Sequence, residues 1–286
     1  MANITTTTGA VFLPEVWSIE ALRAAEAALV MAPLVKRYDS LVKSRGDTIH
    51  IPNISNLTAN TKTQGSEVTT QAVTETETTV SINQWIETSF EIEDIVKIQS
   101  QYDLRSEYTN KAGFAIAQEI DSDLLGLYSS LTSTDVGNYG TDIGDATIVS
   151  AIQTLDEVNA PLDDRYLVIK PSQKAALMKL DKFVAATFLG QYNQATPVVK
   201  GPNNRYYWGD VYGVPTYYTT QVTTTAGTPT QTHNLLFHKE AFALALQSSP
   251  RTQASYWQKD LAWIVTVDAI YGFTALRTTF GVEVRS

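Results

Sequence analysis

The chain contains no cysteine, which removes disulfides, thiolate nucleophiles and sulfur-ligated metals together and leaves the protein indifferent to redox compartment. Histidine is nearly as scarce. His50, His233 and His238 fall in separate strand or loop contexts, with no HExxH and no paired spacing, which argues against a His-built metal centre. Positive charge is also in short supply, 21 Lys and Arg against 30 Asp and Glu for a net charge of −9. That balance disfavours tight nucleic-acid binding, whose affinity comes from counterions displaced by a cationic face, and leaves only weak contact with DNA open. The most apolar run, "LAWIVTV" at 261–267, is far short of the roughly 20 residues of a membrane-spanning helix. The start, "MANITTTTGAVFLPEVW", lacks the positive and continuously apolar regions of a secretory signal. A soluble, cytoplasmically made protein without an anchor is expected. GxSxG, GxxxxGK[ST] and GxGxxG are all absent, so the simple hydrolase, nucleotide and dinucleotide readings fall away.

What is present is the composition of a globular protein: 286 residues, 43% hydrophobic and 18% charged, enough for one large domain or two smaller ones. "SIEALRAAEAALVMAPLVKRYD" has Ile19, Leu22 and Leu29 at near-helical spacing, with Pro33 ending or kinking the helix. "GDTIHIPNI" then alternates Ile49 and Ile51, and a Thr, Asn, Gly and Ser stretch from Asn53 to about Gln71 reads as a loop tip. The following limb, "AVTETETTVSINQW", is β-branched but polar on both side-chain rows until Val80, Ile82 and Ile86 form an apolar row opposite Trp85. These limbs predict a long hairpin, anchored from Ile82 onward, whose far end projects because it has nothing to bury.

The span 103–131 predicts the chain's strongest helix, with Ile116, Ile120, Leu124, Leu127 and Leu131 on one stripe and Asp103 as N-cap. A second helix starts at Asp145 as N-cap and stops before Pro161, a short buried strand "YLVIK" follows, and Pro171 and Ser172 open "SQKAALMKLDKF". Helix, strand and helix in succession predict an α/β module with a central sheet. Beyond residue 206 the chain turns β-rich, with Gly213 and Pro215 as a turn pair and a terminal alternation of Phe280, Val282 and Val284.

Few residues invite a chemical reading. Glu119, Asp121 and Asp123 suggest an exposed acidic helix face more than a catalytic pair. Asp135, Asp142 and Asp145 sit in a Gly-containing loop but match no calcium-binding spacing, so turn and capping roles are expected. Tyr206, Tyr207, Trp208, Tyr212, Tyr217 and Tyr218 read as sheet core or subunit interface before they read as a stacking platform. Lys36, Arg37, Lys43 and Arg45 read as a solvated helix face or links to a neighbour's acids. Gly113 and Gly126 interrupt the long helix and either allow close packing or let the rod bend. No nucleophile, base and orienting group can be assembled from the sequence, so no enzymatic role is expected.

The order of parts, with "GDTIHIPNI", "INQWIETSFEIEDI", "RYLVIKPSQKAALMKL", "GDVYGVPTYYT", "LLFHKEAFALAL" and "YGFTALRTTFGVEV", resembles the major capsid proteins of tailed bacteriophages. The resemblance implies an α+β, HK97-like fold. Its parts would be an N-terminal arm (1–46), an extended E-loop (47–90), a peripheral domain (91–145 and 246–286) with spine helix 103–131, and an axial domain (146–245). It also implies inter-subunit contacts from the E-loop at Asn53, Thr58, Lys62, Glu67, Val73, Glu75, Glu77 and Thr79, and from the arm at Val11, Phe12 and Trp17, with the spine bending at Gly113 and Gly126. The implied partners are further copies of the chain in hexamers and pentamers of an icosahedral lattice, a separate scaffolding protein, a portal, a decoration protein, and packaged double-stranded DNA held weakly. No cofactor, metal or membrane is implied. The implied place is the virion, assembled in the host cytoplasm through a procapsid that expands. Some relatives crosslink through a lysine. Lys62 is the sole donor near the tip, but no partner aligns, and crosslinking there is not expected. An encapsulin-type compartment shares the fold, and a glycan-binding, adhesin-like protein is the reading from another class.

Overall fold

The computed structural model describes residues 30–42, 46–54, 57–68, 70–73, 75–94, 104–180 and 207–286. In chain order the elements are β1 (Lys36–Arg37), α1 (Asp39–Val42), β2 (Thr48–Asn53), β3 (Thr76–Ser81), β4 (Gln84–Glu93) and α2 (Leu104–Gly126), which ends in a 3-10 turn, Leu127–Ser130. Then come β5 (Val136–Gly137), α3 (Asp145–Glu157), β6 (Arg165–Ile169), α4 (Pro171–Leu177), β7 (Tyr207–Val211), β8 (Val214–Tyr218) and β9 (Thr224–Thr225). β10 (Gln231–His238), β11 (Phe242–Trp257), β12 (Ala262–Ala275) and β13 (Gly281–Arg285) complete the chain.

Three sheets result: a four-stranded one ordered β1-β11-β12-β4, a seven-stranded one ordered β5-β13-β10-β6-β8-β7 with β9 added on β10, and the ribbon β2-β3. α2 lies on β4 and β12 of the first sheet, and its stripe of Ile116, Ile120 and Leu124 is buried with Val267, Ala269 and Tyr271. α3 packs on β13 and β10 of the second, through Ile148, Ala151 and Leu155. β6 is buried along its whole length and pairs parallel to β8, as a helix–strand–helix run requires. Phe280, Val282 and Val284 are buried as their alternation predicts.

Several local expectations are corrected. The expected helix over 103–131 is α-helical only to Gly126, and Leu127 and Leu131 are half-buried. Asp103 lies outside the described residues, as do Val11, Phe12, Trp17, Lys43, Arg45 and Tyr206. Asp145 occupies the first turn of α3 while Gly144 is the N-cap, without a side-chain cap bond. Lys36 and Arg37 belong to a strand parallel to β11 rather than to a helix. They pair within the chain, Lys36 Nζ with Glu240 at 2.7 Å and Arg37 Nη2 with Asp39 at 2.6 Å. The hairpin after β7 turns at Tyr212 and Gly213, both at positive φ, the two-residue geometry that matches strand twist. Pro215 lies inside β8. β13, placed with the peripheral part by the expected division, hydrogen-bonds to β10 in the second sheet.

A projecting ribbon as candidate assembly surface

β2 and β3 pair antiparallel from Thr48 opposite Ser81 to Asn53 opposite Thr76, and the ladder ends there. Ala72, Val73 and Glu75 therefore lie beyond the strand rather than in it, and Thr74 lies outside the described residues. Beyond the last rung one side chain continues the pairing. The Gln71 carboxamide accepts from Thr58 N at 3.0 Å and donates to Thr58 O, imitating a peptide unit across the gap. Lys62 Nζ donates to Ser66 O near the tip, and His50 Nδ1 lies 3.2 Å from Glu77 Oε2 across the ribbon.

The base of the ribbon is buried and its outer part is bare. Ile49 and Val80 pack with Val42, Ala243 and Ala245, so the anchor begins a rung earlier than the expected Ile82. Every described residue from 57 to 68 is exposed. So are all eight predicted contact residues, Asn53, Thr58, Lys62, Glu67, Val73, Glu75, Glu77 and Thr79. Among them stand apolar side chains that nothing among the described residues covers: Ile54 is 77% exposed, Leu57 69%, Val68 71% and Val73 51%. A fully buried aliphatic side chain contributes about 1.5–3 kcal/mol. The base receives that contribution; the tip does not.

Where the ribbon joins the body, β12 passes very close. A Cβ on Gly272 would stand 2.3 Å from Ser81 O and 2.9 Å from Ile82 Cα, so only glycine admits this crossing. Just beyond, Trp85 is 71% exposed, yet its Nε1 donates to Asp268 Oδ2 at 3.1 Å. Arg251 grips the same carboxylate through Nε at 2.9 Å and Nη2 at 2.8 Å. The Arg251 bonds hold the Asp268 pKa below the usual carboxylate range despite burial, and the indole adds to the effect. Gln71, Gly272 and Asp268 were not foreseen. The signal for Gly272 is a glycine inside an otherwise β-branched and aromatic strand.

The helix acids do not form the expected exposed face. Only Glu119 is exposed. Asp121 is 2% exposed and accepts from Met31 N at 2.9 Å and Val30 N at 3.2 Å, beside a cavity of about 90 Å³ lined by Phe114, Gln118 and Tyr218. Burial raises its pKa to about 7 against the opposing pull of those two backbone bonds. Asp123 accepts the Tyr271 hydroxyl at 2.5 Å. Along the same helix Gly113 is buried, whereas a Cβ on Gly126 would meet nothing within 4 Å.

The other candidates disperse. Asp135 pairs with Arg285 and Asp145 accepts from Tyr212, and among the described residues no cluster of three metal-binding side chains exists. Tyr217 is wholly buried and Tyr207, Trp208 and Tyr218 pack on the core, so these four form no open aromatic platform. His238 accepts from Glu240 N at 3.2 Å, while His233 is buried against Glu283. Among the described residues no helix is long and apolar enough to cross a membrane.

A family model described as phage capsid protein matches residues 75–282. No curated protein matches the chain. Among solved structures, one of Mycobacterium phage Che8 shares 22% identity over 90% of each chain, with a TM-score of 0.71. The capsid structure of the cyanophage P-SCSP1u shares 17% over 90% of this chain and 88% of its own, with a TM-score of 0.67. A virus-like particle from Pyrococcus furiosus shares 12% over 95% of this chain and 99% of its own, with a TM-score of 0.62. The HK97-like α+β fold is common to them.

Proposed function

The chain belongs to the phage capsid protein family, and on that premise we propose that it is the subunit of an icosahedral shell that closes around double-stranded DNA. The observation that carries the reading is the bare ribbon tip, with Ile54, Leu57, Val68 and Val73 all more than half exposed. A polar strand with unburied apolar residues gains its missing contacts by lying over an adjacent copy, with Asn53, Thr58, Lys62, Glu67, Val73, Glu75, Glu77 and Thr79 in that contact. Residues Val11, Phe12 and Trp17 of the arm would add a second contact. Copies would group in hexamers and pentamers on a separate scaffolding protein, with a portal at one vertex. The procapsid would form in the host cytoplasm and expand into the virion. The charge of −9 suits a wall along which dense DNA slides rather than sticks.

Expressing the chain with and without a candidate scaffold, followed by electron microscopy, tests this. Shells of uniform diameter are expected; a monomer under both conditions sinks the proposal. The likeness to the Pyrococcus furiosus particle keeps one second reading, a shell around protein cargo. Copurification of an enzyme in place of DNA would favour it.

A further inference from the structure

One polar cluster in the seven-stranded sheet carries chemistry that shell formation does not use. His233 is 2% exposed and Glu283 4%, and His233 Nδ1 lies 2.6 Å from Glu283 Oε1. In the neutral ring, Nδ1 then donates to the carboxylate and Nε2 is the acceptor. Tyr128 stacks on the imidazole at 4.0 Å, and Tyr139 donates its hydroxyl to the same Glu283 oxygen at 2.8 Å, so ring and carboxylate are both held in place. Nε2 meets Thr225 Oγ1 at 3.0 Å, and Thr225 is exposed. Hydroxyl, imidazole and carboxylate stand in the order by which a base activates a nucleophile. The sequence hid this because the three residues come from β9, β10 and β13, with the carboxylate at a position whose alternation reads as outward.

A carboxamide stands opposite. Thr225 pairs directly with Gln231 across β9 and β10, and directly opposed residues share a face with Cβ atoms about 5 Å apart. His233, two residues along β10, lies on that face too. The Gln231 side chain lies over the connecting loop, its Nε2 and Cγ 3.5 and 3.6 Å from where a Cβ on Gly227 would stand. We propose that Thr225 and Gln231 join in an intramolecular ester, formed by the protein itself with His233 as general base and Glu283 as its orienting partner. Thr225 Oγ1 attacks Gln231 Cδ while its proton passes to His233 Nε2. The C–N bond of the tetrahedral adduct then breaks, and the imidazolium returns the proton to the departing nitrogen. One hydroxyl and one carboxamide become one ester and one ammonia, with no oxidant or further reactant. The bond staples the loop 226–230 in a chain that has no cysteine.

Mass spectrometry of the full-length protein, free and assembled, tests this on the peptide spanning both residues. The expected result is a peptide lighter by one ammonia, restored by mild alkali to a form heavier by one water. The loss should persist in Thr225→Ser and vanish in Thr225→Val and Gln231→Met, which change surface-accessible positions and spare the buried pair. A peptide of unaltered mass after prolonged incubation overturns the proposal. So does an ammonia loss that survives in Thr225→Val, since it would come from another amide.

Discussion

Asp121 is the residue at which pH reaches the core. Its pKa is raised by burial to about 7 from an ordinary 3.8, so between those values the native state keeps a proton that the unfolded chain has lost. Its contribution is full below the unfolded value and disappears as pH rises through the folded one. Asp121→Asn keeps an acceptor for Val30 and Met31 without the charge. It is expected to be more stable than the parent at pH 8, by on the order of a few kcal/mol, and to keep only the smaller part of that advantage at pH 5. Thermal melts at the two pH values check it, and parallel behaviour at both refutes it. Gly272 acts by absence of volume: Gly272→Ala must move Ser81 or Ile82 backbone, a destabilisation of about 1–3 kcal/mol, measurable by urea unfolding. Gly272 is marked in the sequence only as a glycine within a strand-forming run, and Asp121 is not marked at all. Asp121 sits among other helix acids, and its burial depends on Val30 and Met31, which are distant along the chain.

At the scale of elements, helices and buried strands were legible because their apolar periodicities are local. α3, β6 and β13 fall where Ile148, Leu155, the run "YLVIK" and Val282 put them. The ribbon was legible from the lack of any apolar row at its far end, although its ladder stops at Thr76. Beyond that point, among the described residues, Gln71 bridges the limbs, and Gln71→Ala is expected to speed amide exchange at Thr58 while leaving Val80 unaffected. Equal exchange at Thr58 in the variant and the parent would show the bridge to be idle. Gly126 lies in the α region with φ −63 where α2 passes into its 3-10 turn, and no neighbour crowds it. Gly126→Ala should therefore stabilise the subunit by about 1 kcal/mol. If the glycine serves as a bend, the cost will appear in shell closure instead, read as open or irregular particles by electron microscopy.

For the whole molecule, the division of labour is between a body that folds by its own burial and a ribbon that does not. Removing residues 55–74 and closing the gap with a short turn should leave the melting temperature of the subunit within a few degrees, because none of the described residues in that range belongs to the core. It should abolish particles. Loss of both fold and particles would show that the tip supports its own protomer, contrary to the proposed role. The parts of the candidate surface that escaped the sequence, Gln71, Gly272 and the Trp85–Asp268–Arg251 group, share one cause. Each depends on a contact between segments apart in the chain, and one-dimensional patterns name no partner for it.

The crossing at Gly272 bears on how one chain would serve vertices and flat faces alike in the proposed shell. With Ser81 seated against β12 and Ile49 and Val80 sunk beside it, the root works as a fixed fulcrum. In the proposed shell, differences in curvature between five-fold and six-fold surroundings would then fall to the part of the ribbon outboard of Asn53 and Thr76, acting as a lever against sheets that keep a single shape.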